Sequence, residues 1–138
     1  MKKLIILFCF TFIFLVACKS NKTAEITVIS LAKTSKSWNG KLLPKYLDGN
    51  PEITILKIII PPKAKLPLHK HPEINAGVLL KGKLRVISKE NDTLMLKAGE
   101  PIVELVNVWH YGENPGTVPA EIIVFYAGVK GTPITIIK

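Results

Sequence analysis

The chain has 138 residues, 48% of them hydrophobic, and its 19 basic and 10 acidic side chains give a formal charge of +9. This length fits one domain of ordinary size, and the hydrophobic fraction is too high for a disordered chain. Two cysteines cannot support a disulfide framework. Nearly all the basic residues are lysines spread along the chain, and Arg85 is the single arginine. This pattern argues against a nucleic-acid-binding surface.

The N-terminus has the pattern of an export signal. Lys2 and Lys3 precede a nearly unbroken apolar run over residues 4–16. The run is shorter than the roughly 20 residues that span a membrane, and it suits the apolar region of a signal peptide. Residues 15–18, Leu-Val-Ala-Cys, resemble a bacterial lipobox, in which the cysteine is acylated after cleavage. We therefore predict a lipoprotein signal peptide at 1–17 and lipidation of Cys18, with an ordinary signal peptide or an uncleaved anchor as the alternative.

A polar tether follows the predicted signal peptide. Residues 19–23 read Lys-Ser-Asn-Lys-Thr, which is typical of a flexible linker, and we assign residues 18–25 to the tether and 26–138 to the folded domain. In bacterial lipoproteins an aspartate directly after the acylated cysteine favours the inner membrane. Lys19 occupies that position here, so the resemblance implies the periplasmic leaflet of the outer membrane in a host with two membranes.

The rest of the chain predicts strands rather than helices. Ten prolines, all beyond residue 43, leave few windows long enough for a stable helix. Runs of β-branched residues between turn residues predict strands at 26–30, 53–60, 74–80, 84–88, 93–96, 102–105, 121–126 and 134–137. Short strands at this spacing indicate an all-β sandwich or small barrel. The run of three isoleucines at 58–60 lacks polar alternation, which suggests a strand covered on both faces, as in a dimer.

The three histidines are the candidate functional residues. His69 and His71 stand two apart in a segment that we expect to be extended, so both side chains leave the same face. Two imidazoles on one face supply half of a transition-metal site, although such a pair also occurs on protein surfaces without any ligand. His110 is the third histidine of the chain.

The spacing of these histidines resembles that of the cupin superfamily, small jelly-roll (double-stranded β-helix) barrels that often hold a metal. The first cupin motif is Gly, five residues, His-x-His, three or four residues, Glu, six residues and Gly; the second is Gly, five residues, Pro-x-Gly, two residues, His, three residues and Asn. The motif positions fall on Lys63, His69, His71, Asn75 and Gly82, and on Gly99, Leu105, Asn107, His110 and Asn114. The likeness covers about residues 50–128. It implies a jelly-roll barrel with one divalent transition metal at the three histidines, a small-molecule ligand and a homodimer.

Several positions depart from these motifs. Lys63 and Asn107 replace glycines, and Asn best tolerates the left-handed conformation that glycine would supply. Leu105 replaces a proline. Asn75 replaces the glutamate that is the fourth ligand in the family, and its amide oxygen could coordinate weakly or orient a water but brings no charge. By the same resemblance Asn114 caps a turn, and we expect both asparagines to support the site.

Two glutamates could supply the missing charge. Glu73 shares strand parity with the first two histidines, but Pro72 disturbs the strand before it. We expect the strand that ends near Glu104 to pair with the strand that begins at His110, which would bring the two residues opposite each other. The neighbours of Glu104 are apolar, so a buried carboxylate there needs a cation, a hydrogen-bond network or a proton. We choose Glu104 as the fourth ligand, or as a general base if it does not bind metal; a solvated Glu104, or Glu73 as the ligand, is the alternative.

Three histidines and one carboxylate suit divalent Fe, Mn, Ni, Zn or Co. Open coordination positions would admit a small substrate, with the metal acting as Lewis acid, activator of water or redox centre. Cupins host isomerases, dioxygenases and binding domains on one scaffold, so the fold does not select a reaction. We expect an exported, lipid-anchored metalloenzyme of the dioxygenase or isomerase/lyase type. The alternative is a non-catalytic module that binds a metal or a small ligand.

Overall fold

The structure is a computed structural model that describes residues 24–138. The predicted signal peptide, the predicted lipidation site Cys18 and most of the predicted tether lie outside the described residues. Within residues 24–138 no helix is long and apolar enough to cross a membrane.

Within residues 24–138, nine strands form two antiparallel sheets. In chain order they are β1 (Pro51–Ile60), β2 (His69–Lys70), β3 (Ile74–Lys81), β4 (Lys83–Ser88), β5 (Thr93–Lys97), β6 (Pro101–Val103), β7 (His110–Glu113), β8 (Ala120–Val129) and β9 (Ile136–Ile137). The first sheet has the order β1-β8-β3-β6, and the second has the order β5-β4-β7-β2-β9. This architecture confirms the expected all-β jelly roll.

The core lies between the two sheets. Alternation along β8 turns Ala120, Ile122, Val124 and Tyr126 inward, each at most 5% exposed, as expected for a strand with one face on a core. The second sheet contributes buried residues of β4 and β5 to the same cluster. Adjacent strands approach closely at Gly77 of β3, where an added Cβ would lie 2.6 Å from a backbone oxygen of β8.

The predicted strand at 26–30 is wrong. This segment has no strand partner, and Ile26 and Val28 are 89% and 88% exposed. A β-branched run has strand propensity, but a strand also requires a neighbour that accepts its backbone hydrogen bonds. Strand β7 begins at His110, as expected, whereas the two-residue strand β2, which carries His69, was predicted only as an extended segment.

The predicted pairing around Glu104 is also wrong. Strand β6 pairs with β3 through Ala76 and Val103, whereas β7 pairs with β2 and β4. The two strands therefore belong to different sheets, and β6 ends one residue before Glu104. The connection crosses between the sheets because Leu105 is fully buried and Asn107 adopts a left-handed φ of 56°, which turns the chain toward β7.

Candidate metal centre

The three histidines converge at one end of the barrel. His69 of β2 lies directly across from His110 of β7, and His71 follows β2 and bridges to Val106. The ring centroids are 4.6 to 5.1 Å apart. One nitrogen from each ring lies within 4.8 Å of the others. Imidazole nitrogens around a single ion at about 2.1 Å are about 3.0–3.4 Å apart, so the rings would move slightly toward a bound ion. The three histidines could therefore hold a metal ion.

Backbone carbonyls determine which nitrogen each ring presents. The Nδ1 atoms of His69, His71 and His110 lie 2.7, 2.8 and 2.8 Å from the carbonyl oxygens of Pro67, Ile134 and Val108. A carbonyl oxygen only accepts, so each Nδ1 carries the proton and each Nε2 keeps its lone pair. The Nε2 of His110 is buried without a hydrogen-bond partner. An unsatisfied buried acceptor is costly, and a metal ion would satisfy it.

Burial keeps the three rings neutral. Desolvation lowers the pKa of His71 to about 4, against the raising effect of its bond to the Ile134 carbonyl. The pKa values of His69 and His110 are lowered by the same cause. Metals bind the neutral form of imidazole, so at neutral pH no proton has to leave before these nitrogens can ligate.

Glu104 lies beside the histidine cluster. Its backbone N–H donates to the carbonyl of Asn75 at 3.0 Å, and one carboxylate oxygen lies 3.6 Å from Nε2 of His110. The side chain is only 12% exposed. Burial raises the pKa of the carboxyl to about 7, opposed by the backbone N–H of Leu105 and by His69. A buried carboxylate next to three neutral imidazoles can supply the negative charge that a divalent cation requires.

The other carboxylate considered from the sequence serves a different purpose. Glu73 is 3% exposed, and its carboxylate accepts a hydrogen bond from the backbone N–H of Val129 at 3.0 Å. It packs so closely on Gly128 that a Cβ there would lie 1.8 Å from it. Glu73 does not line the cavity next to the histidines; it holds the end of β8.

Two of the motif asparagines, Asn75 and Asn114, have separate environments. Asn75 lines the cavity, and its side-chain oxygen is buried with no hydrogen-bond partner. Asn114 does not line the cavity. It holds a turn by hydrogen bonds: its amide donates to the carbonyls of Ile60 and Val118, and its oxygen accepts from Gly116.

A cavity of about 210 Å³ opens beside the histidines. Most of its wall is aliphatic, with Leu56, Ile58, Leu84 and Val124 among the contributors, and no lysine or arginine of the described residues lines it. Tyr126 also lines the cavity, and burial raises the pKa of its phenol to about 12. The hydroxyl therefore stays protonated at physiological pH. The Tyr126 ring lies 5.5 Å from the His71 ring, so this tyrosine is at the histidine end of the cavity.

A sequence model of the cupin domain matches residues 56–126, just over half of the chain. The chain belongs to the cupin family. The motif positions of this cupin that lack glycine keep the glycine conformation, since Lys63 and Asn107 have φ values of 63° and 56°. The N–H of Asn107 donates to the carbonyl of His71 at 2.7 Å, so this turn holds the residue that directly follows β2. No curated protein matches the chain.

Solved structures share the fold of this cupin. An oxalate oxidase is 24% identical over 62% of this chain and 45% of its own, with a TM-score of 0.53. A DMSP lyase from Ruegeria pomeroyi is 16% identical over 62% and 43%, with a TM-score of 0.55. A protein with a double-stranded β-helix domain from Klebsiella pneumoniae is 15% identical over 68% and 84%, with a TM-score of 0.54. This chain spans less than half the length of the first two.

Residues near the C-terminal end support the site, and the sequence did not predict this role for them. Ile134 accepts from the His71 ring, and the hydroxyl of Thr135 lies 3.2 Å from the same Nδ1. Strand β9 pairs with β2, with Ile137 across from His69. These contacts join residues more than 60 positions apart, and no local pattern could reveal them.

Proposed function

We propose that this cupin is an exported, lipid-anchored metalloenzyme that acts on a small, largely apolar molecule by dioxygenase or isomerase/lyase chemistry. The supporting observation is the convergence of three neutral imidazoles, one with an unsatisfied buried Nε2, on the polar end of an apolar cavity. Under this proposal His69, His71 and His110 bind one divalent Fe, Mn, Ni, Zn or Co ion.

Glu104 is the proposed fourth ligand. A divalent ion held by three neutral imidazoles in an apolar cavity needs a nearby anion, because isolated charge is costly in such surroundings. Glu104 is the one carboxylate among the residues that line the cavity. Asn75 cannot supply that charge, and its unpaired amide oxygen is better suited to accept a hydrogen bond from a ligand or a water.

The cavity restricts the ligand to a small molecule. A cavity of about 150 Å³ in another protein admits benzene, so about 210 Å³ leaves room for one ring or a short branched chain with an oxygen-bearing end. The absence of lysine and arginine from the cavity wall leaves a phosphate without a cationic partner other than the metal. Sugar phosphates are therefore poor candidates, and neutral hydroxy ketones or phenols fit better.

Each part of the chain has a definite task in this proposal. The bound metal would supply Lewis acidity or, for a redox-active ion, electron transfer. Aliphatic side chains such as Ile58 and Val124 bind the apolar part of the ligand and exclude water. Tyr126, protonated at physiological pH, can donate a hydrogen bond to a ligand oxygen.

Metal content tests the proposal directly. The full chain is purified in detergent through a tag without histidine and measured by inductively coupled plasma mass spectrometry. We expect close to one transition-metal ion per chain, less than a tenth of that in His110→Ala, and at least tenfold weaker binding in Glu104→Gln. Glu73→Gln is the matched control, because that buried carboxylate lies outside the cavity, and it should retain the metal. Unchanged metal content in His110→Ala contradicts the histidine site.

Catalysis is distinguished from simple binding by product formation. The metal-loaded chain is incubated with short hydroxy ketones and monocyclic phenols, with oxygen consumption and products followed by mass spectrometry. Turnover that is lost in His110→Ala supports an enzyme. A ligand that raises the melting temperature without any product instead identifies a non-catalytic binding module.

Export and lipidation are tested on the full chain in a bacterial host. We expect incorporation of labelled palmitate, loss of the label in Cys18→Ser, and sedimentation with outer-membrane vesicles in a sucrose gradient. The polar residues 19–23 and the apolar run before Cys18 support this expectation. Label that persists in Cys18→Ser, or a soluble wild-type chain, contradicts it.

A further inference from the structure

The two sheets of the barrel present different outer faces. Exposed side chains on the β1-β8-β3-β6 sheet are mostly apolar, such as Ile53 and Phe125. On the other sheet, side chains alternate between the core and the outside, and basic groups occupy outward positions of β4 and β5 and of the segment around β2. We call this second surface the basic face, after its five basic side chains: Lys65, Lys70, Lys83, Arg85 and Lys97.

Two lysines of the basic face lie directly across from each other. Lys83 of β4 pairs with Lys97 of β5, and both side chains are exposed. Like charges at opposed positions on neighbouring strands destabilise a sheet. Within residues 24–138 neither lysine forms an ion pair, because the carboxylate of nearby Glu100 accepts from the backbone N–H of Lys97 instead. An anion supplied from outside would relieve the repulsion between the two ammonium groups.

Two further lysines lie over aromatic rings. Nζ of Lys65 is 3.6 Å from the ring centroid of Tyr111, and Nζ of Lys70 is 5.2 Å from that of Trp109. Both rings are half-buried on the outer side of the sheet. A cation–π contact holds an ammonium group in place without neutralising its charge. These two positive charges are therefore fixed at the surface of the basic face.

The carboxylate on the basic face does not offset the lysine charges. Glu113 of β7 lies across from Arg85, whose Nε donates to it at 2.5 Å. Glu90, in the turn between β4 and β5, is paired with Lys41 at 2.5 Å. Four lysine charges on one side of the barrel therefore have no counter-charge among the described residues.

The shape and composition of the basic face favour an extended anionic surface over a single bound anion. Its five strands make it about 19 Å wide, and the lysines are spread across that width. Met95 and Ile136, 45% and 36% exposed, pair with Arg85 and Lys70 on the same side. Lysines interspersed with aromatic and aliphatic side chains are typical of surfaces at the headgroup layer of a bilayer.

Nucleic acid fits the basic face less well. Base recognition relies on arginine, and Arg85, the single arginine of the chain, already binds Glu113. A headgroup layer needs only positive charge at its surface, and each lysine close to anionic lipid strengthens attachment about fivefold. Four unpaired lysines are thus enough for a stable contact once the protein is held at a membrane.

A lipid anchor alone does not orient the barrel. The chain between Cys18 and Ser35 can span up to about 60 Å, which would allow any side of the barrel to approach the membrane. We propose that the basic face docks on anionic phospholipid headgroups, so that the β5-β4-β7-β2-β9 sheet lies against the membrane. This inference rests on the lipid anchor of the proposed function.

A fluorescent label on the basic face tests the docking. The acylated full chain with Cys9→Ser and Met95→Cys is labelled with nitrobenzoxadiazole, whose emission rises in apolar surroundings, and is placed in vesicles of phosphatidylcholine with or without about one-third phosphatidylglycerol. We expect at least twofold stronger emission with the anionic lipid, and loss of this difference at about 0.5 M salt. The same label on Ile53→Cys, which lies on the opposite sheet and is 64% exposed, should respond equally to both vesicles.

Charge reversal identifies the residues responsible. Lys83→Glu with Lys97→Glu should abolish the difference between the two vesicles, and it keeps a like-charge pair at the same positions. The matched control is Lys45→Glu with Lys130→Glu, which changes the charge equally at exposed lysines outside the basic face and should retain the difference. Circular dichroism verifies that each variant is folded.

The outcomes separate the docking from the anchor. Equal emission from the wild-type face in both vesicles, or a difference that survives charge reversal both at Lys83 with Lys97 and at Lys65 with Lys70, overturns the docking and leaves the anchor intact. Mass spectrometry counts the labels on each chain. A second label on Cys18 would refute acylation, and the docking would fall with the anchor on which it rests.

Discussion

Replacing Glu104 by glutamine in the metal-free protein should increase its stability, and the gain should depend on pH. Burial raises the pKa of this carboxyl from its ordinary value of 4.5 to about 7. A group whose pKa is higher in the folded state binds more protons there, so its favourable contribution is present at low pH and is lost as pH rises through 7. Above pH 7 the folded protein holds an ionised, buried carboxylate.

The size of the effect follows from the shift. A shift of about 2.5 units corresponds to about 3 kcal/mol at pH 8, and the same two pKa values leave a penalty of about 1 kcal/mol at pH 5. The side chain retains 12% of its exposure, so these values are upper limits. Glutamine has the same shape without the charge. The difference in the free energy of unfolding between variant and wild type should therefore grow by about 2 kcal/mol from pH 5 to pH 8.

Urea unfolding of the chelator-treated full chain at the two pH values measures this difference. The histidines, whose pKa values are lowered by burial, destabilise both proteins as pH falls below about 6.5. Their contribution cancels in the comparison, apart from the interaction between His69 and Glu104. A slope near 2 kcal/mol per molar converts the expected change into a midpoint shift of about 1 M urea. An equal difference at pH 5 and pH 8 would show that Glu104 does not titrate as a buried acid, and the proposed need for a cation beside it would lose its basis.

Substitutions at three further positions test the elements around the site. Asn107→Gly should change the free energy of unfolding by less than about 0.5 kcal/mol and retain metal, whereas Asn107→Val should cost about 1–3 kcal/mol and weaken metal binding, because a β-branched residue is strained at positive φ; urea unfolding and metal titration measure both, and an equal cost for Gly and Val would contradict the reasoning. Asn114→Ala should cost about 2–4 kcal/mol in urea, since it removes three hydrogen bonds to a buried turn, and a cost below 1 kcal/mol would mean that water replaces them. Gly77→Ala should lower the melting temperature through a loss of about 1–3 kcal/mol, because its Cβ would lie 2.6 Å from the Ile123 carbonyl oxygen; an unchanged melting temperature would show that the sheet yields without cost.

The strands were predictable where a β-branched run also has a neighbouring strand to pair with. Runs such as 53–60 and 84–88 are β-branched and lie within observed strands. The segment 26–30 has the same composition but no strand partner among residues 24–138, which propensity alone does not reveal. Strand β2 is only two residues long, and Pro67 and Pro72 flank it closely, so its pairing comes from tertiary contacts rather than from its own sequence.

The site was predictable to the extent that its residues lie in the two spaced motifs. The three histidines come together as expected. The proximity of Glu104 to His110 was anticipated, but from a strand pairing that does not exist; the bond from Glu104 N–H to Asn75 holds it there instead. The left-handed conformation at Asn107 was expected from residue type. The contact between His71 and Ile134 depends on where the chain returns after β8, and residue spacing carries no signal for that.

The strand that supports the histidines is made after the histidines themselves. Two of the three imidazoles depend on residues 134–137: His71 bonds to the Ile134 carbonyl, and His69 pairs with Ile137. Synthesis and translocation proceed from the N-terminus, so this support arrives more than 60 residues after the histidines themselves. A chain still in transit cannot present the finished ligand set. For the exported protein proposed above, the ion would then be acquired in the envelope, and the supply of metals in that compartment, more than the intrinsic order of affinities, would decide which ion fills the barrel.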